Sequence, residues 1–131
     1  MKDVLRIEDL TKKFKKKNFF SSDSDEVIAA DSVNFSLEQG KILAVAGQSG
    51  SGKSTIAKLI LRAIKPDSGK IFHNQKEIMD NSDELKKFRM KCQMIYQDPY
   101  DSINPRMTIS DIVSEPLEIH NIGTKKEREQ R

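Results

Sequence analysis

The nine residues Gly47-Gln48-Ser49-Gly50-Ser51-Gly52-Lys53-Ser54-Thr55 carry the most legible chemistry in this sequence. They fit G-x-x-x-x-G-K-[ST], a loop that holds a polyphosphate. An anion of that size needs many donors close together, and a loop wrapped around it supplies them as backbone N–H groups. Glycines 47, 50 and 52 are expected to take positive φ and bring the backbone close without a Cβ in the way. Ser49, Ser51 and Thr55 complete the cradle. Lys53 is placed to reach the β- and γ-phosphates, and the Ser54 hydroxyl to ligate Mg²⁺.

Such a loop works only between a strand and a helix. Before it, Ile42-Leu43-Ala44-Val45-Ala46 is a short apolar run expected to form a strand buried on both faces. After it, Ile56, Leu59, Ile60, Ala63 and Ile64 recur at helical spacing, and Pro66-Asp67-Ser68-Gly69 closes that helix. The helix aims its unpaired N–H groups and the positive end of its dipole at the phosphates.

The chain of 131 residues is one domain or part of one. With 33% charged residues and a mean hydropathy of −0.63, it reads as soluble. No apolar run approaches the ~20 residues of a membrane span, and the N-terminus lacks the apolar region of a signal peptide. Cys92 is the only cysteine, which excludes an internal disulfide and fits a reducing compartment. It reads as a small core residue in a strand, Cys92-Gln93-Met94-Ile95-Tyr96. The net charge of +3 does not argue for nucleic acid.

Upstream, Val4, Leu5, Ile7 and Leu10 predict a first strand. Lys12-Lys13-Phe14-Lys15-Lys16-Lys17 has two readings, a solvated loop or an aromatic face for a nucleotide base with lysines adding positive potential. Residues 18–26 are polar and Ser/Asp-rich, which predicts mobility. Val33, Phe35 and Leu37 alternate with polar residues as a half-buried strand does. Lys70 to His73 predicts a strand, with Asn74-Gln75 as its turn and His73 structural. Asn81 or Ser82 is expected to cap a helix through Leu85 and Phe88. Pro99 and Pro105 keep residues 98–106 irregular. Ile109, Ile112, Val113 and Leu117 predict a helix over 107–117, bent or ended by Pro116. Thr124-Lys125-Lys126-Glu127 is a capping box, yet only Arg128-Glu129-Gln130-Arg131 follow, with nothing apolar to dock. An announced helix without a body predicts a truncated chain.

A GTPase would carry N-K-x-D, and Asn74-Gln75-Lys76-Glu77 does not match it. A guanylate-kinase-like enzyme shares the loop but not an apolar strand ending in Gln97-Asp98-Pro99. The combination resembles the ATP-binding subunits of ABC transporters. Residues 47–55 resemble their Walker A, Ile95-Tyr96-Gln97-Asp98-Pro99 resembles their Q-loop, and Phe14 falls where their A-loop aromatic stacks on adenine. The stretch from Tyr96 to Thr108, with Ile112 and Glu115-Pro116-Leu117, is similar to the oligopeptide/dipeptide and nickel importer branch, as is the polar insert 15–26. No L-S-G-G-Q, Walker B, D-loop or switch histidine is present, and neither His73 nor His120 takes that last role.

The resemblance implies an α/β P-loop core (42–97), an N-terminal antiparallel β subdomain (1–41) and the start of a helical subdomain (98–131). It implies ATP and Mg²⁺ as cofactors, with Gln97 joining Ser54 at the metal and touching the attacking water. Hydrolysis would drive import of a peptide, or nickel, through permease subunits on the cytoplasmic face of the membrane. A second ATP-binding subunit would be a direct partner, an extracytoplasmic binding protein an indirect one, and nucleic acid no partner. The 131 residues alone are expected to be inactive, and the competing reading is a non-hydrolysing nucleotide-binding fragment.

Overall fold

The structure, a computed structural model, describes residues 3–16, 25–80, 83–98 and 103–130. It divides into two compact units between residues 93 and 94. The first unit holds a four-stranded antiparallel sheet. Its strands are β1 (Asp3–Lys16), β2 (Asp25–Glu38), β3 (Ser68–His73) and β4 (Lys76–Glu77), in the order β2-β1-β3-β4. Two helices belong to the same unit, α1 (Lys53–Ile60) and α2 (Asp83–Lys91).

The antiparallel β part is as expected, but its long strands are not regular. Ile7 and Leu10 are both fully covered although three residues apart, a spacing that a plain strand of period two would place on opposite faces. A register shift lies between them, with Asp9 at φ 47°, and the extra residue returns Leu10 to the core side. On β2, Ser32 at φ 45° does the same between Ala30 and Val33. A polar knot holds the double kink. The Asp9 N–H donates to Asn34 Oδ1 at 2.9 Å, Asn34 Nδ2 donates to Asp9 Oδ1 at 2.8 Å, and the Ser32 N–H donates to Thr11 Oγ1 at 3.0 Å.

The core joins Ile7, Leu10, Ala30 and Ile71 of the sheet to Leu59 of α1, Leu85 and Phe88 of α2, and Ile78. β3 turns into β4 through Asn74 and Gln75, both at positive φ as a tight hairpin turn requires. His73 packs its ring 5.1 Å from Phe88, in line with a structural role. The caps expected of Asn81 or Ser82 lie outside the described residues, as do residues 18–24 of the polar insert and Pro99.

Several expectations need correction. Lys12 to Lys16 are strand, not a solvated loop, because β2 pairs with them through Asp25. Residues 42–46 form no strand, and Ile42 is 97% exposed. A strand buried on both faces needs hydrogen-bonding neighbours, and none of the described strands pairs with this run. Residues 92–96 likewise form no strand; Cys92 follows α2, its N–H bonded to the Phe88 carbonyl at 2.9 Å. α1 is also shorter than the apolar spacing predicts. Arg62 turns left-handed at φ 54°, and the N–H groups of Arg62 and Ala63 reach back to the carbonyls of Leu59 and Lys58, a Schellman closure. Arg89 of α2 locks that end by donating to the Leu61 and Arg62 carbonyls at 3.2 and 2.8 Å.

In the second unit α3 (Ile109–Ile119) and α4 (Lys125–Glu129) each begin with a complete capping box, Thr108 with Asp111 and Thr124 with Glu127. α3 runs through Pro116 rather than ending there. Proline forfeits one N–H bond, and the helix resumes when His120 donates to the Pro116 carbonyl at 3.2 Å. The short α4 is also tethered through Arg128, whose Nε donates to the Ile122 carbonyl at 2.9 Å and whose guanidinium pairs with Glu118 at 3.9 Å.

Candidate nucleotide-binding site

The loop from Gly47 to Gly52 leads directly into α1. Gly52 is the N-cap of that helix, at φ 92°, and no side chain caps it. The N–H groups of the first turn, at Lys53, Ser54 and Thr55, therefore keep the free donors typical of a helix start. Gly50 also has positive φ, at 80°, whereas Gly47 does not, which corrects the expectation for Gly47. What Gly47 provides is room, since a Cβ there would lie 2.7 Å from Ser51 Oγ. Gly52 is confined far more tightly: a Cβ would lie 2.1 Å from the Ala29 carbonyl oxygen of β2. The loop thus rests on β2 at a point where no side chain fits.

Lys53 folds back across the loop. Its ammonium donates to the Gly47 carbonyl at 2.8 Å, the Gln48 carbonyl at 2.6 Å and Ser51 Oγ at 3.3 Å, which uses all three of its donors. The charge is thereby held within the curve of the loop. The Ser51 N–H donates to the Gln48 carbonyl at 3.2 Å, closing a turn that includes Ser49 and Gly50. Ser54 lies exposed in the first turn of α1 and Thr55 is half-buried behind it.

Phe14 lies near the end of β1, 41% exposed, opposite Val27 of β2. Ala29, which touches the loop, is two residues along the same strand, about 7 Å by strand rise. β2 therefore ties the aromatic ring and the phosphate loop to one support. Lys12 Nζ stands 5.6 Å from the centre of the Phe14 ring, within cation–π range.

Gln97 belongs to the second unit, where it is an exposed residue of an irregular stretch. Among the described residues no group of three or more His, Cys, Asp or Glu side chains could hold a metal ion. No helix among the described residues is long and apolar enough to cross a membrane.

Sequence reasoning missed two residues at this site. Ala29 carries no signal of its own. Asp67 was legible only as part of a helix-closing turn, yet its carboxylate bonds to Lys12 Nζ at 2.8 Å and to the Lys13 N–H at 2.7 Å. Those two bonds, the Lys12 contact first, hold its carboxyl below the ordinary range.

Residues 30–131 match the family model described as ABC transporter. The chain is 36% identical over 129 residues to the probable peptide ABC transporter ATP-binding protein y4tS of Sinorhizobium fredii, covering 97% of this chain and 36% of that protein. It is 37% identical over 131 residues to the oligopeptide transport ATP-binding protein AppF of Bacillus subtilis, covering 98% of this chain and 40% of that protein. Among solved structures it is similar to a dimeric ATP-binding cassette in a post-hydrolysis state bound to ADP and Pi. The TM-score there is 0.72 at 26% identity, over 96% of this chain and 53% of that one. The sheet, the glycine-rich loop and the helix it feeds define a P-loop nucleotide-binding domain. With most of its length matched, the chain belongs to the ABC transporter family. It spans 36% and 40% of the length of the two relatives named.

Proposed function

We propose that the chain supplies the phosphate- and base-binding side of an ATP site in an ABC-type subunit. The observation that carries this is the Lys53 ammonium held by the Gly47 and Gln48 carbonyls beside an uncapped helix start. Polyphosphate oxygens would take over those ammonium contacts while the N–H groups of Gly50 to Thr55 close around them. Ser49, Ser51 and Thr55 line the cradle, and Phe14 offers its exposed face to adenine. Ser54 of α1 would hold Mg²⁺ through its hydroxyl, and Gln97 would take the Q-loop role toward the metal and the water. When bound, the metal would supply charge neutralisation to the phosphate oxygens. Lys53 and the loop backbone contribute positioning and fixed positive potential, which is most of what phosphoryl transfer asks of a protein.

In the whole protein this site would power import of a peptide, or nickel, through permease subunits at the cytoplasmic face of a membrane. A second ATP-binding subunit would complete the site, and an extracytoplasmic binding protein would deliver the cargo. The names of the relatives, a peptide and an oligopeptide transporter, support the peptide branch. Residues 1–41, 42–97 and 98–131 would then serve as β subdomain, P-loop core and start of the helical subdomain.

Titration calorimetry with ATP and Mg²⁺ tests the site. Lys53→Ala should weaken binding by about 1.5–3 kcal/mol, the value of hydrogen bonds to a charged group. That corresponds to roughly ten- to hundredfold in the dissociation constant. Equal constants for both forms, with the fold verified by circular dichroism, would remove Lys53 from the phosphate site.

A further inference from the structure

We propose that Asp67 is a positioning residue for base recognition, a latch that sets the Phe14 ring; this rests on the reading of Phe14 as the adenine-stacking residue. Beyond Thr11, which pairs with Ser68, β1 has lost β3 as a neighbour and keeps only β2. Its ladder with β2 is irregular there, with register shifts on both sides of Lys12. A shifted ladder leaves backbone groups without strand partners. Asp67 takes up that loss. Its N–H donates to the Thr11 carbonyl at 3.0 Å, and its carboxylate accepts from the Lys13 N–H at 2.7 Å and from Lys12 Nζ at 2.8 Å. Three consecutive residues directly before Phe14 are thus fastened to one side chain and its backbone.

The turn that carries Asp67 is itself held. Pro66 is buried with its φ fixed by the ring. Gly69, at φ 93°, passes so close to β1 that a Cβ would lie 2.5 Å from the Asp9 carbonyl oxygen. Asp67 therefore presents its carboxylate from a rigid support. The Lys12 side chain is only 15% exposed, and its ammonium is shared between Asp67 and the Phe14 ring. One side of the ring is occupied by that cation, and the exposed remainder is offered to the base. Without Asp67 the lysine and the strand end lose their anchor, and the ring loses a defined direction. The effect is confined to the base: the phosphate loop is supported by Ala29 of β2 and makes none of these contacts.

The test compares the full chain with Asp67→Ala, Phe14→Ala and the double variant, each titrated with Mg²⁺-ATP and with Mg²⁺-triphosphate. Asp67→Ala should weaken ATP by about two- to tenfold, up to the stacking contribution of Phe14 itself, and leave triphosphate unchanged. In the Phe14→Ala background the same substitution should add nothing, because the two act through one ring. Should Asp67→Ala fail to fold, Asp67→Asn replaces it, since it keeps an acceptor for the Lys13 N–H and removes the negative charge that faces Lys12. Equal losses for both ligands, or a loss that persists without Phe14, overturn the latch. A Phe14→Ala loss with no Asp67 loss overturns the latch alone. No ATP loss in Phe14→Ala overturns the stacking reading and the latch with it.

Discussion

Replacing each loop glycine by alanine should give three different penalties, ranked by what the new methyl group meets. At Gly52 the backbone is left-handed, which costs an L residue about 1–2 kcal/mol. The Cβ would also lie 2.1 Å from the Ala29 carbonyl, a backbone atom of β2 that has no rotamer to escape into. Overpacking of that kind costs about 1–3 kcal/mol, and the stiffer unfolded chain returns about 0.4–1 kcal/mol. The net loss is about 1–4.5 kcal/mol, a large share of a typical domain's stability. Gly50 has positive φ but open space around its Cβ position, so only the backbone cost remains, about 1 kcal/mol after the same correction. At Gly47 φ is not positive and the neighbour is a serine hydroxyl that can rotate, so the change should stay within about 0.5 kcal/mol. Urea unfolding followed by circular dichroism reads the series. For a urea slope of about 2 kcal/mol/M, Gly52→Ala should lower the midpoint by about 0.5–2 M. The reasoning fails if Gly47→Ala costs as much as Gly52→Ala, because the approach to Ala29 would then not be what holds the loop.

Phosphate release by the 131-residue chain with Mg²⁺-ATP should not exceed that of Lys53→Ala. The chain has no residue assigned to take the proton from water, a general-base contribution of about 10²–10⁴ in rate, and multiple turnovers above that background would show one was overlooked. The His73 ring has its pKa lowered from 6.5 mainly by burial against Phe88, with Lys91 adding repulsion. The unfolded chain therefore binds this proton first, so the stability His73 contributes is complete above pH 6.5 and is lost as pH falls through the lower folded value. Urea midpoints between about pH 7.5 and 5.5 should fall more steeply for the chain than for His73→Gln, and parallel curves would exclude the ring as a cause.

Local signals survived into the structure because the interactions behind them are local. The Thr124–Glu127 capping box forms within four residues, with Glu127 Oε2 accepting from the Thr124 N–H at 2.7 Å. The Thr108–Asp111 box was equally available, and an aspartate at N3 in place of glutamate hid it. The alternation of Val33, Phe35 and Leu37 holds because side-chain direction in a strand follows from the backbone alone. The glycine and lysine spacing of the phosphate loop is legible for the same reason: Lys53 reaches Gly47 and Gln48 across six and five residues.

Tertiary structure decided whatever depends on a distant partner. The apolar run 42–46 carries strand composition, yet a strand exists only where another backbone completes its hydrogen bonds, and here none of the described strands does. Lys12 to Lys16 carries loop composition and is strand because β2 lies beside it. Helix spacing extends past Ile60, but Arg62 and the capping contacts from Arg89 close α1 earlier. Gly52 against Ala29, and Asp67 against Lys12 and Lys13, join residues 23 to 55 positions apart. No spacing rule reaches that far, because the chain between them sets the distance only once it has folded.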